Sequence, residues 1–109
     1  EGAFHLGVFQ NDELLCIGSF FKQKHAQFSE QDQYRLRAMA TVPKFHKRGT
    51  ASLLLEFAIQ KLHNEYQALL WCDAREVAVG FYEKLGFSKQ GNPYEIPIIG
   101  IHYLMYKKL

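Results

Sequence analysis

The chain has 109 residues, 48% of them hydrophobic and 22% charged, a globular balance that excludes disorder and low complexity and suits one domain at the small end of the range. A net charge of +2 gives no reason to expect a nucleic-acid or membrane partner, and no apolar run reaches the roughly 18–20 residues of a membrane span. Cys16 and Cys72 are too few for a disulfide framework and lie in apolar, strand-like runs, so they read as reduced thiols of an intracellular, cytoplasmic protein.

Residues 3–9 and 14–23 read as two strands joined by the polar turn Gln10-Asn11-Asp12-Glu13. Residues 24–33 are polar and read as a loop. Residues 34–42 begin with alternation at Tyr34, Leu36 and Ala38 and continue as Met39-Ala40-Thr41-Val42, a strand that becomes more buried and stops at Pro43. Ala51, Leu54, Leu55, Ala58, Ile59 and Leu62 recur at helical spacing and predict a helix over about 49–65. The short apolar run 68–72 predicts a central strand buried on both faces.

A second helix is predicted over about 74–85. Val77, Ala78, Phe81, Tyr82 and Leu85 form its inner face, Gly86 caps it and Phe87 folds back on Phe81. The remainder, 87–108, reads as two strands around a connection at 92–100. The order is β-β-β-α-β-α-β-β in one domain spanning 1–109. The fold class is α/β (α+β), a mixed sheet in which the central strand-helix-strand unit forms a parallel pair with a right-handed crossover.

The segment Pro43-Lys44-Phe45-His46-Lys47-Arg48-Gly49-Thr50-Ala51-Ser52 links a strand end to the long helix. The first N–H groups of a helix have no internal partner, and the dipole adds partial positive charge, so phosphate oxygens bind there. Gly49 permits close approach to the backbone, Ala51 and Ser52 keep the first turn open, and Lys47 and Arg48 add charge. The same residues also read as an ordinary helix start with a solvated basic turn. Neither G-x-x-x-x-G-K-[ST] nor G-x-G-x-x-G occurs, which excludes the common nucleotide and dinucleotide loops. The five histidines lack metal-ligand spacing. Cys72 reads as a structural thiol, since a nucleophile needs an adjacent base.

Two segments in this order, MATVPKFHKRGTASLLL and, about 30 residues later, FYEKLGF, resemble the GNAT superfamily of acyl-CoA-dependent N-acyltransferases. The first is similar to that family's central strand, pyrophosphate turn and helix. The second is similar to its late helix and the strand after it. The resemblance covers nearly all of the chain from about Ala3. It implies a GNAT-like fold with a mostly antiparallel central sheet, and acetyl-CoA as cofactor. It also implies transfer of the acetyl group to a primary amine, on a small molecule or a peptide, by direct attack in a ternary complex. A non-catalytic acyl-CoA-binding module is the alternative.

In the positions matched by the resemblance, Met39, Ala40 and Thr41 pair with pantetheine, and His46, Lys47, Arg48, Gly49, Thr50 and Ala51 hold the pyrophosphate. His46 and Lys47 depart from the family's usual Gln or Arg and Gly. Tyr82 matches the family's general acid, and a phenol with a reference pKa near 10 keeps its proton at pH 7. By itself it equally reads as a packed helix tyrosine. Arg75 stands where many members carry Asn. It reads as a contact to the cofactor or to an anionic acceptor, or as a helix-start residue paired with Asp73 or Glu76. Glu95 and His102 flank the last connection, as general base and acceptor-binding residues or as a solvated glutamate and a hydrogen-bonded strand histidine. The family's N-terminal strand and following helices, which help wall the acceptor site, have no counterpart in these residues. The resemblance therefore implies an incomplete domain or a homodimer whose second chain supplies that wall.

Overall fold

The computed structural model describes residues 2–45 and 49–109. Ala3–Gln10 (β1) and Glu13–Lys22 (β2) form an antiparallel hairpin. Asn11 and Asp12 both take positive φ, 50° and 69°, the two-residue turn whose twist matches that of its strands and which Asn and Asp tolerate. Gln33–Thr41 (β3) runs antiparallel to β2. Thr50–Asn64 (α1) then crosses to Leu69–Arg75 (β4), which pairs with β3 in parallel. Val79–Lys84 (α2), Ser88–Lys89 (β5), Tyr94–Ile96 (β6) and Gly100–Lys108 (β7) complete the chain. The sheet order is β1-β2-β3-β4-β7-β5, with β6 also on β7.

One face of the sheet packs against the helices. Leu54, Leu55, Ala58 and Leu62 of α1 are buried with Cys16, Phe20, Leu36 and Leu70, the apolar stripe that the helical spacing prescribes. The other face carries Leu69, Trp71 and Leu104, with Phe28, Tyr94 and Tyr106 packed against them. The polar stretch before β3 covers this second cluster. Fully buried Gln33 donates to the carbonyls of Phe28 and Glu30 at 3.2 and 2.8 Å and accepts from the His25 N–H at 2.8 Å. Those three bonds hold the loop over Trp71, whose indole N–H donates to the Gln23 carbonyl at 2.9 Å.

The expected helix over 74–85 is shorter than its sequence pattern. β4 continues through Arg75, a single 3-10 turn follows at Glu76–Ala78, and only six residues form α2. β7 offers β4 a continuous antiparallel partner as far as Arg75↔His102, and ladder pairing overrides the local helical periodicity. Val77, expected inside, is 87% exposed. The helix ends as expected: Gly86 has φ 92°, its N–H bonds the Glu83 carbonyl at 3.0 Å, and the Phe87 N–H bonds that of Tyr82 at 3.1 Å. This is the paired closure that a left-handed residue makes possible. The Phe87 ring meets Tyr82 edge-on, with centroids 5.4 Å apart. The connection over 92–100 is itself structured, because β6 pairs Tyr94 with His102 and Ile96 with Gly100.

Candidate active site

Parallel pairing between β3 and β4 stops after Gln33↔Leu69, Tyr34↔Leu70 and Arg35↔Trp71. The cause lies in β3. Between the pairs Ser19↔Arg37 and Ile17↔Ala40, two residues, Ala38 and Met39, face the single Gly18 of β2, and Ala38 sits at φ 47°. Such a bulge bends its strand and increases the local twist. The end of β3 therefore stays with β2 while β4 stays with β7. The wedge between them is a cavity of about 480 Å³, with Arg37, Ala38 and Met39 on one wall and Cys72, Asp73 and Arg75 on the other. Tyr82 and His102 also line it.

Tyr82 and Cys72 belong to the core on the helix side of the sheet. Tyr82 is 8% exposed. Burial, followed by the charge of and hydrogen bond with the neighbouring Cys72 sulfur, pushes its hydroxyl well above the ordinary tyrosine value. Burial, with the Asp73 charge second, pushes the Cys72 thiol up to about 12. Both groups keep their protons at neutral pH, so Cys72 is not a nucleophilic thiolate.

A different cluster occupies the opposite face. One oxygen of Asp73 accepts from Arg35 Nη2 at 2.8 Å and the other accepts from the Tyr94 hydroxyl. The Arg35 guanidinium lies 4.9 Å over the Trp71 ring. Burial, then the hydrogen bond to Asp73, raises the Tyr94 hydroxyl above its usual range. Arg75 pairs with neither Asp73 nor Glu76 and is exposed.

His102 is 5% exposed and stands opposite Arg75 in the β4–β7 ladder. Its Nδ1 lies 2.9 Å from the Gly100 carbonyl. A carbonyl only accepts, so Nδ1 carries the hydrogen and Nε2 of the neutral ring is left as an acceptor. Glu95 pairs with Ile101, one register position from the Tyr94↔His102 pair, so it points to the other side of that ribbon. It is exposed and does not line the wedge.

At the start of α1, Gly49 takes φ 81° and no side chain caps the helix among the described residues. The first ladder bond is Leu53 N–H to the Gly49 carbonyl, 3.0 Å, so the N–H groups of Thr50, Ala51 and Ser52 precede the helical ladder. Among the described residues, a Cβ at Gly49 would meet nothing within 4 Å, and Thr50 Oγ1 is buried without a hydrogen-bond partner. Unladdered donors beside such a position fit an oxyanionic ligand. His46, Lys47 and Arg48 lie outside the described residues. Met39 and Thr41 are half-buried and Ala40 is exposed at the diverging end of β3, where Thr41 Oγ1 donates to Cys16 Sγ at 3.3 Å.

The structure thus brings Met39, Arg75, Tyr82 and His102 to one cavity and leaves Glu95 outside it. Sequence reasoning missed Arg35, Arg37, Asp73 and Tyr94. Strand alternation places Arg35 and Arg37 on one face, and nothing local announces their partners.

The Acetyltransferase (GNAT) domain family matches residues 1–108. YitI of Bacillus subtilis (strain 168), described as an uncharacterized N-acetyltransferase, is 42% identical over 109 residues, 100% of this chain and 73% of that protein. Among solved structures, an aminoglycoside 6'-N-acetyltransferase complexed with coenzyme A has a TM-score of 0.81 at 13% identity, over 98% of this chain and 73% of that one. A GNAT-family acetyltransferase from Streptococcus pneumoniae has a TM-score of 0.80 at 22% identity, over 99% of this chain and 68% of that one. These two structures share the fold described above.

Proposed function

Because the chain belongs to the GNAT acetyltransferase family, we propose that it transfers an acetyl group from acetyl-CoA to a primary amine by direct attack in a ternary complex. The observation that carries this reading is the buried Tyr82 side chain lining the wedge between β3 and β4. When bound, acetyl-CoA supplies the thioester. The first-turn N–H groups of α1, of Thr50, Ala51 and Ser52, would hold its diphosphate beside Gly49, together with His46, Lys47 and Arg48. The backbone of Met39, Ala40 and Thr41 would align the pantetheine arm, and a β3 backbone N–H there would stabilise charge on the thioester oxygen.

The side chains divide the proton work. His102 Nε2 accepts a proton from the amine. The freed nitrogen bonds to the acetyl carbon, the carbon–sulfur bond breaks, Tyr82 gives its proton to the departing sulfur, and the second proton that the nitrogen sheds restores the Tyr82 hydroxyl. A tyrosine raised above its usual pKa is a weaker acid, yet burial raises the basicity of a sulfur at the same site. Burial, with the Asp73 charge second, likewise pushes the Cys72 thiol beside Tyr82 up to about 12. Both oxygens of Asp73 are already engaged, by Arg35 and Tyr94, so the proton acceptor assigned here is His102. A cytoplasmic setting suits the two free, buried thiols. No helix among the described residues is long and apolar enough to cross a membrane.

Two variants test the reading. Tyr82→Phe should slow amine-dependent CoA release by about 10²-fold and leave the calorimetric affinity for acetyl-CoA within about twofold. Turnover at the parental rate would sink the assignment. Asp and Asn both tolerate the left-handed backbone of Gly49, so Gly49→Asp and Gly49→Asn differ only in charge. Acetyl-CoA should bind the Asn variant at least about tenfold more tightly. Equal affinities would move the diphosphate away from α1.

A further inference from the structure

The acetyl-transfer reading leaves the acceptor unspecified, and the inference here rests on that reading. Three arginines, Arg35, Arg37 and Arg75, line the wedge with one acidic residue, Asp73. Asp73 is saturated by Arg35 and Tyr94. Arg37 and Arg75 have no carboxylate partner among the described residues. Arg35 Nε is buried without a hydrogen-bond partner among the described residues. The lining therefore holds an excess of fixed positive charge and of unused N–H donors.

Position says what that excess faces. Arg75 stands opposite His102 in the β4–β7 ladder. Arg37 lies 5.7 Å from the Phe21 ring, and Phe21 is the ladder partner of Arg35. This is the Trp71 face of the sheet, away from the core that α1 and Tyr82 share. An amine reaches the site as a cation, and the two guanidiniums without a carboxylate oppose its entry unless it brings a compensating anion. Arginine's planar fork matches a carboxylate through two parallel hydrogen bonds. Val77 and Ile99, both exposed and both lining the wedge, supply an apolar wall beside the cations.

We propose that the acceptor is an amine that also carries a carboxylate, held by Arg37 and Arg75 on the face opposite the helices while its nitrogen faces His102. The rival use of these arginines, holding the phosphates of the cofactor, is separated by the test.

The test is calorimetry on the CoA-loaded protein, which binds without turning over. Three matched pairs are titrated: leucine and leucinamide, β-alanine and β-alaninamide, 6-aminohexanoate and 6-aminohexanamide. At least one carboxylate should bind about tenfold more tightly than its amide. That preference should shrink to within about twofold in Arg37→Gln and Arg75→Gln, with CoA affinity unchanged. Both side chains are exposed, so the variants should keep the parental melting temperature. If no carboxylate outbinds its amide while CoA still binds, the proposal falls and the acetyl-transfer reading stands. Loss of CoA affinity in the arginine variants assigns these groups to the cofactor and also overturns it. A parent protein that binds no CoA brings down the underlying reading.

Discussion

His102 and Glu95 are neighbours in one hairpin and differ in which way they point. His102 enters the wedge with its Nδ1 committed to the Gly100 carbonyl, which leaves Nε2 as the proton acceptor. Glu95 is exposed on the other side of the ribbon. His102→Gln should therefore lower kcat by about tenfold or more, while Glu95→Gln stays within about twofold. Steady-state CoA release reads both, and the reverse order would transfer the base role to Glu95. Tyr82 was legible in the sequence, since FYEKLGF marks its helix and its cap. The Arg35–Asp73–Tyr94 cluster was not, because its members come from three strands that only the sheet register brings together.

At the scale of the elements, both helices close in the same way with different residues. α1 ends with Tyr66 at φ 61°, its N–H on the His63 carbonyl at 3.0 Å and the Gln67 N–H on that of Leu62 at 3.0 Å. α2 uses Gly86 for the same closure. A side chain in the left-handed region costs about 1–2 kcal/mol, and Tyr66, 90% exposed, recovers little of it by packing. Tyr66→Gly should raise stability by about 1 kcal/mol after the greater entropy of an unfolded glycine is counted. Urea unfolding reads it, and a loss of stability would mean that the Tyr66 ring packs more than its exposure indicates. The shortening of α2 has the opposite lesson. Apolar residues at helical spacing predicted a helix from about Ala74, yet Arg75 lies in a ladder and Val77 faces solvent. Periodicity reports which residues can share a face, not which backbone partner is available.

Across the molecule, the protons of two buried groups and of half-buried Tyr94 tie stability to alkaline pH. Cys72, Tyr82 and Tyr94 all have raised pKa values. Above about pH 9 the unfolded chain releases the thiol proton while the folded chain keeps it until about 12, so the native state binds more protons and loses stability as pH rises. The tyrosines extend the same trend from about pH 10. Stability should be level up to about pH 8 on this account and fall by on the order of 1–2 kcal/mol by pH 10.5. Cys72→Ser, which does not titrate, should flatten the first part of that decline. Urea midpoints across this range decide it, and an unchanged slope in the variant would remove Cys72 from the linkage.

The sequence by itself determined the strands apart from β6, the long helix, the cap at Gly86, the parallel crossover and the family, because periodicity, turn chemistry and motif spacing are local properties. Only the tertiary structure decided the site's shape and charge. The bulge at Ala38 and Met39 appears only when β3 is set against β2, and it ends the β3–β4 pairing after Arg35. The end of β4 is a strand because β7 lies beside it. Asp73 is silent because Arg35 and Tyr94 reach it from elsewhere in the chain. Each of these depends on partners distant in sequence, where pairing energy outweighs local preference.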